Sequence, residues 1–235
     1  MTVLLYHTDA YLKEFDAQVT GHDLEQNGIY LDQTAFYPGG GGQGQDRGYF
    51  EMDGQQVPIA KIGRGNLHII EGTLPEIGSA VHGVLDWDYR YKFMRTHTAM
   101  HILCGVVWRD YSAYVTGGAM EPLKGRMDFE FERMQKELVA EIEASVNREV
   151  EAARETRVQI FPREEAFAIP DLIRTKINLV PEGIDEIRTV EIIGLDLQAD
   201  GGTHVANTND VGFIRVVDYK SKGSINKRIY FELDA

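Results

Sequence analysis

DYRYKFMRTHTAMHILCGVVWRD, residues 88–110, is where the chain changes its period. Met100, Leu103 and Val107 recur at helical spacing within it, so the stretch predicts a helix with an apolar stripe. Everything before it reads differently. GIYLDQ, RGYFEM, QVPIAKIG, NLHIIEG and AVHGVLDW are short apolar-polar segments separated by Gly, Pro, Asn and Asp turns, the pattern of a small all-β barrel or sandwich. The break between the two patterns falls near Trp87–Tyr91, which predicts one β domain over residues 1–90 and a second domain over 91–235. In the second, AYVTGGAMEP, GRMDFEFE, RVQIFP, IRTVEII, GFIRVVDYK and INKRIYFEL read as strands. ERMQKELVAEIEASVNREVEAARE reads as a helix with a stripe of Met134, Leu138, Ile142 and Val146. AIPDLIRTKINL (168–179) reads as a further short helix. The fold class expected is therefore α+β.

Composition sets outer limits. A chain of 235 residues with 43% hydrophobic and 26% charged residues can bury a sizeable core. No apolar run approaches the roughly 18–20 residues of a membrane span, and MTVLLYHTDAYLKEF lacks the layout of a signal peptide. One cysteine, Cys104, rules out an internal disulfide framework, and a reducing, cytoplasmic location is the economical expectation. A formal net charge of −13 argues against nucleic-acid binding by bulk electrostatics. It leaves room for a local patch: KSKGSINKR (220–228) holds four basic residues and no acidic one.

Two short motifs carry chemistry. On a helix, residues four apart stand about 40° apart around the axis and one turn along it, so His97 and His101 of HTAMH share a face and can hold one metal ion. The same pair could simply cap or pack. In DGGTH, Asp200 and His204 can both turn inward if the two glycines take backbone conformations closed to other residues. The alternative is an ordinary Asp-Gly turn. Taken together, the motifs offer four N/O donors, which suits zinc. Cys104 shares the helix face of His97 and His101, but three side chains stacked over two turns rarely converge on one ion. A small buried hydrophobe is the better reading of it. The glycine run YPGGGGQGQDRG (37–48) lacks the Lys-Ser/Thr ending of a phosphate loop and is either a flexible connection or a substrate-facing loop.

Four blocks in order carry a resemblance: DQTAFYPGGGGQGQDRG (32–48), RTHTAMHIL (95–103), DLQADGGTHVANTNDVG (196–212) and YKSKGSINKRIYFEL (219–233). Together they resemble the editing domain of alanyl-tRNA synthetase and, more closely, the free-standing AlaX-type alanyl-tRNA editing proteins. The resemblance implies an N-terminal β-barrel followed by an α+β editing domain with an antiparallel sheet and helices. It implies hydrolysis of the ester joining a wrong amino acid, serine and also glycine, to alanine tRNA, at a Zn2+ site. His97, His101 and His204 match three of the family's ligands, and Asp200 stands where the family has cysteine. A carboxylate is a harder ligand than a thiolate, so Asp200 either ligates with altered affinity or sits behind three histidines. Thr34 matches the position associated with the serine hydroxyl, and can equally be an ordinary strand threonine. Thr203 and Gln43 are candidates for contact with substrate or water. Arg95, Lys220, Lys222, Lys227 and Arg228 are candidates for the tRNA backbone. Two other readings remain: a zinc hydrolase of small esters, and an aminoacyl-tRNA-binding module without metal.

Overall fold

The computed structural model describes residues 2–176, 178, 180 and 182–235. The chain is α+β and divides into two compact units, Met1–Tyr91 and Lys92–Ala235. The first contains β1 (Val3–Leu4), β2 (Glu14–Asp23), β3 (Gly28–Leu31), β4 (Gln33–Thr34), β5 (Gly48–Met52), β6 (Gln55–Gly63), β7 (Leu67–Ile70) and β8 (Ala80–Leu85). Six of these close an antiparallel barrel in the order β2-β3-β7-β6-β5-β8, while β1 pairs in parallel with β4. Closure leaves no free sheet edge in the barrel. The five strands expected from sequence are present; β2, the longest in the chain, was not among them. Its signal was there to read. Phe15, Ala17 and Val19 are buried and Glu14, Asp16 and Gln18 exposed, a strict period of two. These side chains join Ile29, Leu31, Phe36, Phe50, Ile62, Ile70 and Val81 in the barrel core.

The glycine run is a built loop. Gly39, Gly40, Gly41 and Gly42 all have positive φ, between 58° and 135°, where other residues are strained. Reciprocal backbone hydrogen bonds between Gly40 and Gln43, at 3.0 and 2.9 Å, close the loop, and the Tyr37 hydroxyl donates to the Gly40 carbonyl. Its far end is anchored by Asp46, which accepts the Tyr37 N–H at 2.6 Å and forms a fully buried ion pair with Arg90. Arg90 Nε donates to Asp46 Oδ1 at 2.7 Å, and the rest of the guanidinium donates to Asp46 Oδ2 and to the Ala10 and Ala35 carbonyls.

His68 is buried against Phe36 and Phe50, with Nε2 3.0 Å from Thr34 Oγ1. Burial pushes its imidazole pKa down to about 4. Between pH 6.5 and 4 the unfolded chain therefore binds a proton that the folded chain refuses, so stability falls as pH falls through that window. From pH 7 to pH 5 this one group is expected to remove about 2 kcal/mol. Urea unfolding at both pH values, on the protein and on His68→Gln, checks it; an identical pH slope in the two would refute it.

The division between the units falls within α1 (Trp87–Tyr111). The second unit continues with β9 (Val115–Glu121), β10 (Lys124–Glu130), α2 (Lys136–Glu151), β11 (Thr156–Pro162), α3 (Arg163–Phe167), β12 (Glu186–Ile192), β13 (Asp196–Ala199), β14 (Ile214–Ser221) and β15 (Asn226–Leu233). One antiparallel sheet runs β14-β15-β10-β9 and another β11-β12-β13. From Phe93 to Val107 nearly every residue of α1 is buried, so the stripe of Met100, Leu103 and Val107 is part of a helix covered all round. α2 starts four residues later than expected, which leaves Met134 outside it, and its buried seam is Val139, Ile142, Val146 and Val150. Asn147 on α2 fixes β14 by exchanging hydrogen bonds of 2.8 and 2.9 Å with the Ile214 backbone.

The helix expected over 168–179 is not found among its described residues; Ile177 and Leu179 lie outside them. The helical turn comes earlier, as α3. Pro170 explains the shift, since it lacks an N–H and bars Ile169 from helical geometry, and Asp171 then takes a positive φ of 55°. Ala166 and Leu172 pack instead with Ile187 in a small core. β13 was also unexpected, being only four residues long.

Candidate metal centre

HTAMH lies in the buried middle of α1, and its two histidines project from one face, with ring centroids 5.2 Å apart. DGGTH follows the end of β13 and brings Asp200 and His204 to the same place. The His204 ring stacks on His97 at 4.2 Å and meets His101 edge-on at 4.6 Å. One ligand atom from each of His97, His101, Asp200 and His204 lies within 4.8 Å of the others. All three histidines are buried.

The glycines of DGGTH do not act as expected. Neither Gly201 nor Gly202 has a positive φ. The turn is closed by the carboxylate itself: Asp200 Oδ2 accepts the Gly202 N–H at 2.9 Å and lies 2.9 Å from His204 Nε2. Asp200 Oδ1 stands 3.6 Å from His97 Nε2, too far for a hydrogen bond.

Each imidazole is held from behind. His101 Nδ1 is 3.0 Å from Asp196 Oδ2, His204 Nδ1 is 3.1 Å from Thr98 Oγ1, and His97 hydrogen-bonds the Thr203 backbone. Thr98 Oγ1 also accepts the Val205 N–H. A hydroxyl can donate or accept, so Thr98 suits either tautomer of His204. Arg188 Nη1 donates to the Asp200 carbonyl at 2.8 Å and lies 3.9 Å from its carboxylate.

Electrostatics favour ligation. Burial pushes His97 down to about 4, and burial together with the neighbouring His97 pushes His204 well below an ordinary imidazole. Both are neutral at pH 7, with lone pairs available. Burial also opposes charge on His101, but the hydrogen bond and charge of Asp196 outweigh it and the net shift is upward. Burial alone would raise Asp200; the facing His97 and His204 hold it well below the usual carboxylate range. Three imidazoles and a carboxylate converging in a buried space carry a desolvation cost that a shared divalent cation offsets. The residues fit zinc as a donor set of nitrogen and oxygen atoms. Cys104 is buried and burial raises its thiol pKa well above normal, so it stays a protonated thiol outside the cluster.

Thr203 is fully buried next to His204. Thr34 and Gln43 belong to the first unit and are buried there; Thr34 Oγ1 also accepts the Phe36 N–H. Arg95 donates to the Val211 and Asp234 carbonyls. Lys227 is buried, with Nζ donating to the Gly223 and Ser224 carbonyls, and Arg228 makes a two-pronged pair with Asp128 at 2.6 and 2.7 Å. Lys220 is exposed beside Asp218, and Lys222 is exposed. Thr98, Arg188 and Asp196 were not anticipated. Thr98 adjoins His97 in sequence, but nothing local marks it as a partner of a residue 106 positions away.

Two family models match the chain: tRNA synthetases class II (A) over residues 6–89, and the threonyl and alanyl tRNA synthetase second additional domain over residues 187–230. Among curated proteins, the alanyl-tRNA editing protein AlaX-M of Saccharolobus solfataricus is 38% identical over 98% of this chain and 98% of its own length. The AlaX-M of Methanosarcina acetivorans is 34% identical over 99% of both chains. The alanine–tRNA ligase of Thermococcus kodakarensis is 37% identical over 92% of this chain, but over only 24% of the ligase. A likeness of this extent along the whole length, joined to the matched models in both units, shows that the chain belongs to the family of alanyl-tRNA editing proteins.

Proposed function

We propose that this protein is a trans-editing hydrolase that removes a wrong amino acid, serine and also glycine, from alanine tRNA at a zinc site made by His97, His101, Asp200 and His204. The observation that carries this reading is the convergence of four donor atoms within 4.8 Å in a buried pocket of side chains. The alanyl-tRNA editing role of the relatives matched along their whole length supports the substrate class. When bound, zinc supplies a Lewis acid that polarises a carbonyl and acidifies a water.

The chain's own residues do the rest. His97, His101 and His204 would hold the ion through ring nitrogens, with His97 and His204 neutral at pH 7, and Asp200 would contribute the negative charge. Thr203, next to His204 in sequence, is assigned contact with the ester or the attacking water. Thr34 selects for a serine hydroxyl, because a site built to pair a hydroxyl discriminates against a side chain lacking one. Gln43 is a further substrate contact. Lys220 and Lys222 are the exposed cations available to RNA phosphate, whereas Arg95, Lys227 and Arg228 spend their donors on the protein.

The test is hydrolysis of serine-charged alanine tRNA by purified protein, with alanine-charged tRNA alongside and a chelator control. Chelator-sensitive loss of serine with alanine spared supports the reading. Inert, metal-replete protein would overturn it in favour of a binding module. Asp200→Cys is expected to bind zinc more tightly than the natural chain, since thiolate is the softer ligand. Chelator competition measures this, and an unaltered affinity would remove Asp200 from the ligand set.

A further inference from the structure

One imidazole of the cluster is held by a charge. Asp196, at the start of β13, has no exposed side-chain surface, and its Oδ2 takes both His101 Nδ1 at 3.0 Å and Gln198 Nε2 at 2.7 Å. Among the described residues its Oδ1 has no hydrogen-bond partner, and it stands 3.7 Å from Arg174 Nε. Arg174 Nε and Nη1 are buried and, among the described residues, equally without hydrogen-bond partners, and the guanidinium lies over the Trp108 ring at 4.6 Å. The backbone makes room for this carboxylate. A Cβ on Gly105 of α1 would come within 3.0 Å of Asp196 Cβ and 2.8 Å of Leu195 Cγ, so helix and hairpin approach as closely as glycine permits.

A buried ion pair of this kind is poor value for stability, because packed apolar residues would serve as well. It does have a use at a metal site. A carboxylate behind an imidazole keeps the proton on the nitrogen it faces and orients the ring. We propose that Asp196, braced by Arg174, is the positioning residue of the cluster: it holds the His101 proton on Nδ1 and aims the Nε2 lone pair at the ion. This rests on the zinc reading above and adds to it a residue outside the ligand set. Arg174 carries the effect one step further, to the connection between α3 and β12.

The experiment measures zinc affinity of the full chain by competition with a chromophoric chelator. It compares the natural protein with Asp196→Asn, Asp196→Ala and Arg174→Met, and repeats Asp196→Asn and Asp196→Ala in a His101→Ala background. Thermal unfolding of the metal-free variants reports on the fold, and nitrogen-15 spectra of the imidazoles report where the His101 proton sits. Loss of Asp196 is expected to weaken zinc by about 10–100-fold. In the His101→Ala background it should change affinity by less than about 2-fold, because the two act as one unit. Arg174→Met should give a smaller loss in the same direction, and the Nδ1–H signature of His101 should vanish with Asp196. If Asp196→Ala does not fold, Asp196→Asn keeps its volume and carries the test with Arg174→Met. Unchanged affinity in a folded Asp196 variant, equal losses in both backgrounds, or a natural His101 protonated on Nε2 would each overturn the proposal. Natural protein that binds no zinc would instead overturn the metal reading, while the spectra still decide whether Asp196 sets the tautomer.

Discussion

His101→Ala is expected to lower zinc affinity by more than about 100-fold, beyond the usual effect of changing a residue that merely supports a ligand. Deacylation of serine-charged alanine tRNA should fall in step. The variant removes one of the three buried imidazoles and leaves two histidines and Asp200. It also strands the Asp196 carboxylate, which then keeps only Gln198 on its occupied oxygen. Metal content after dialysis against buffered zinc, and single-turnover hydrolysis of the mischarged tRNA, measure the two effects. Hydrolysis that persists at the natural rate in protein without metal would refute a metal-dependent reaction. Because stranding Asp196 also costs stability, near-ultraviolet circular dichroism of the metal-free variant separates a lost ligand from a lost fold.

Arg90→Met is expected to destabilise the barrel unit by about 3–5 kcal/mol, the usual cost of breaking a buried pair by removing one partner. Methionine keeps most of the volume, so the effect reports the lost charge and hydrogen bonds rather than a cavity. Asp46 would be left buried without its cation, and the Ala10 and Ala35 carbonyls without their donors. Asp46 also accepts the Tyr37 N–H, so the anchor of the glycine loop weakens with it. Urea unfolding gives the number directly. Pairing Arg90→Met with Asp46→Asn should cost less than the two single changes added, since either one already breaks the interaction. A loss below about 1 kcal/mol for Arg90→Met would mean that the pair is dispensable.

The basic C-terminal run illustrates how far residue counting goes. KSKGSINKR reads as one cationic patch, but strand alternation sends Lys227 and Arg228 to opposite faces of β15. Lys227 is buried on its own hairpin, and Arg228 meets Asp128 across the register of β10 and β15. The first fact was available from period alone; the second required knowing which strand lies next door. α3 teaches the reverse lesson. Apolar spacing over 168–179 predicts a helix, but Pro170 overrides it by barring the residue before it from helical geometry. β2 alternates strictly over Glu14–Thr20, but Glu14 and Asp16 on its outer face dilute the apolar character that marks a strand in sequence.

The pairing of HTAMH with DGGTH was implied by the family resemblance, not by the spacing within either motif. By itself the sequence determined the α+β class, the change of regime near residue 90, and the presence in each motif of ligand-type side chains four residues apart. These depend on periodicity and on spacings of four residues, which are local properties of helices, strands and turns. Only the tertiary structure decided what stands behind each ligand. Asp196 reaches His101 across 95 residues, Thr98 reaches His204 across 106, and Asp46 reaches Arg90 across 44. No local pattern encodes such partners, because a buried polar group is satisfied by whatever the packed elements bring within about 3 Å, at any distance along the chain.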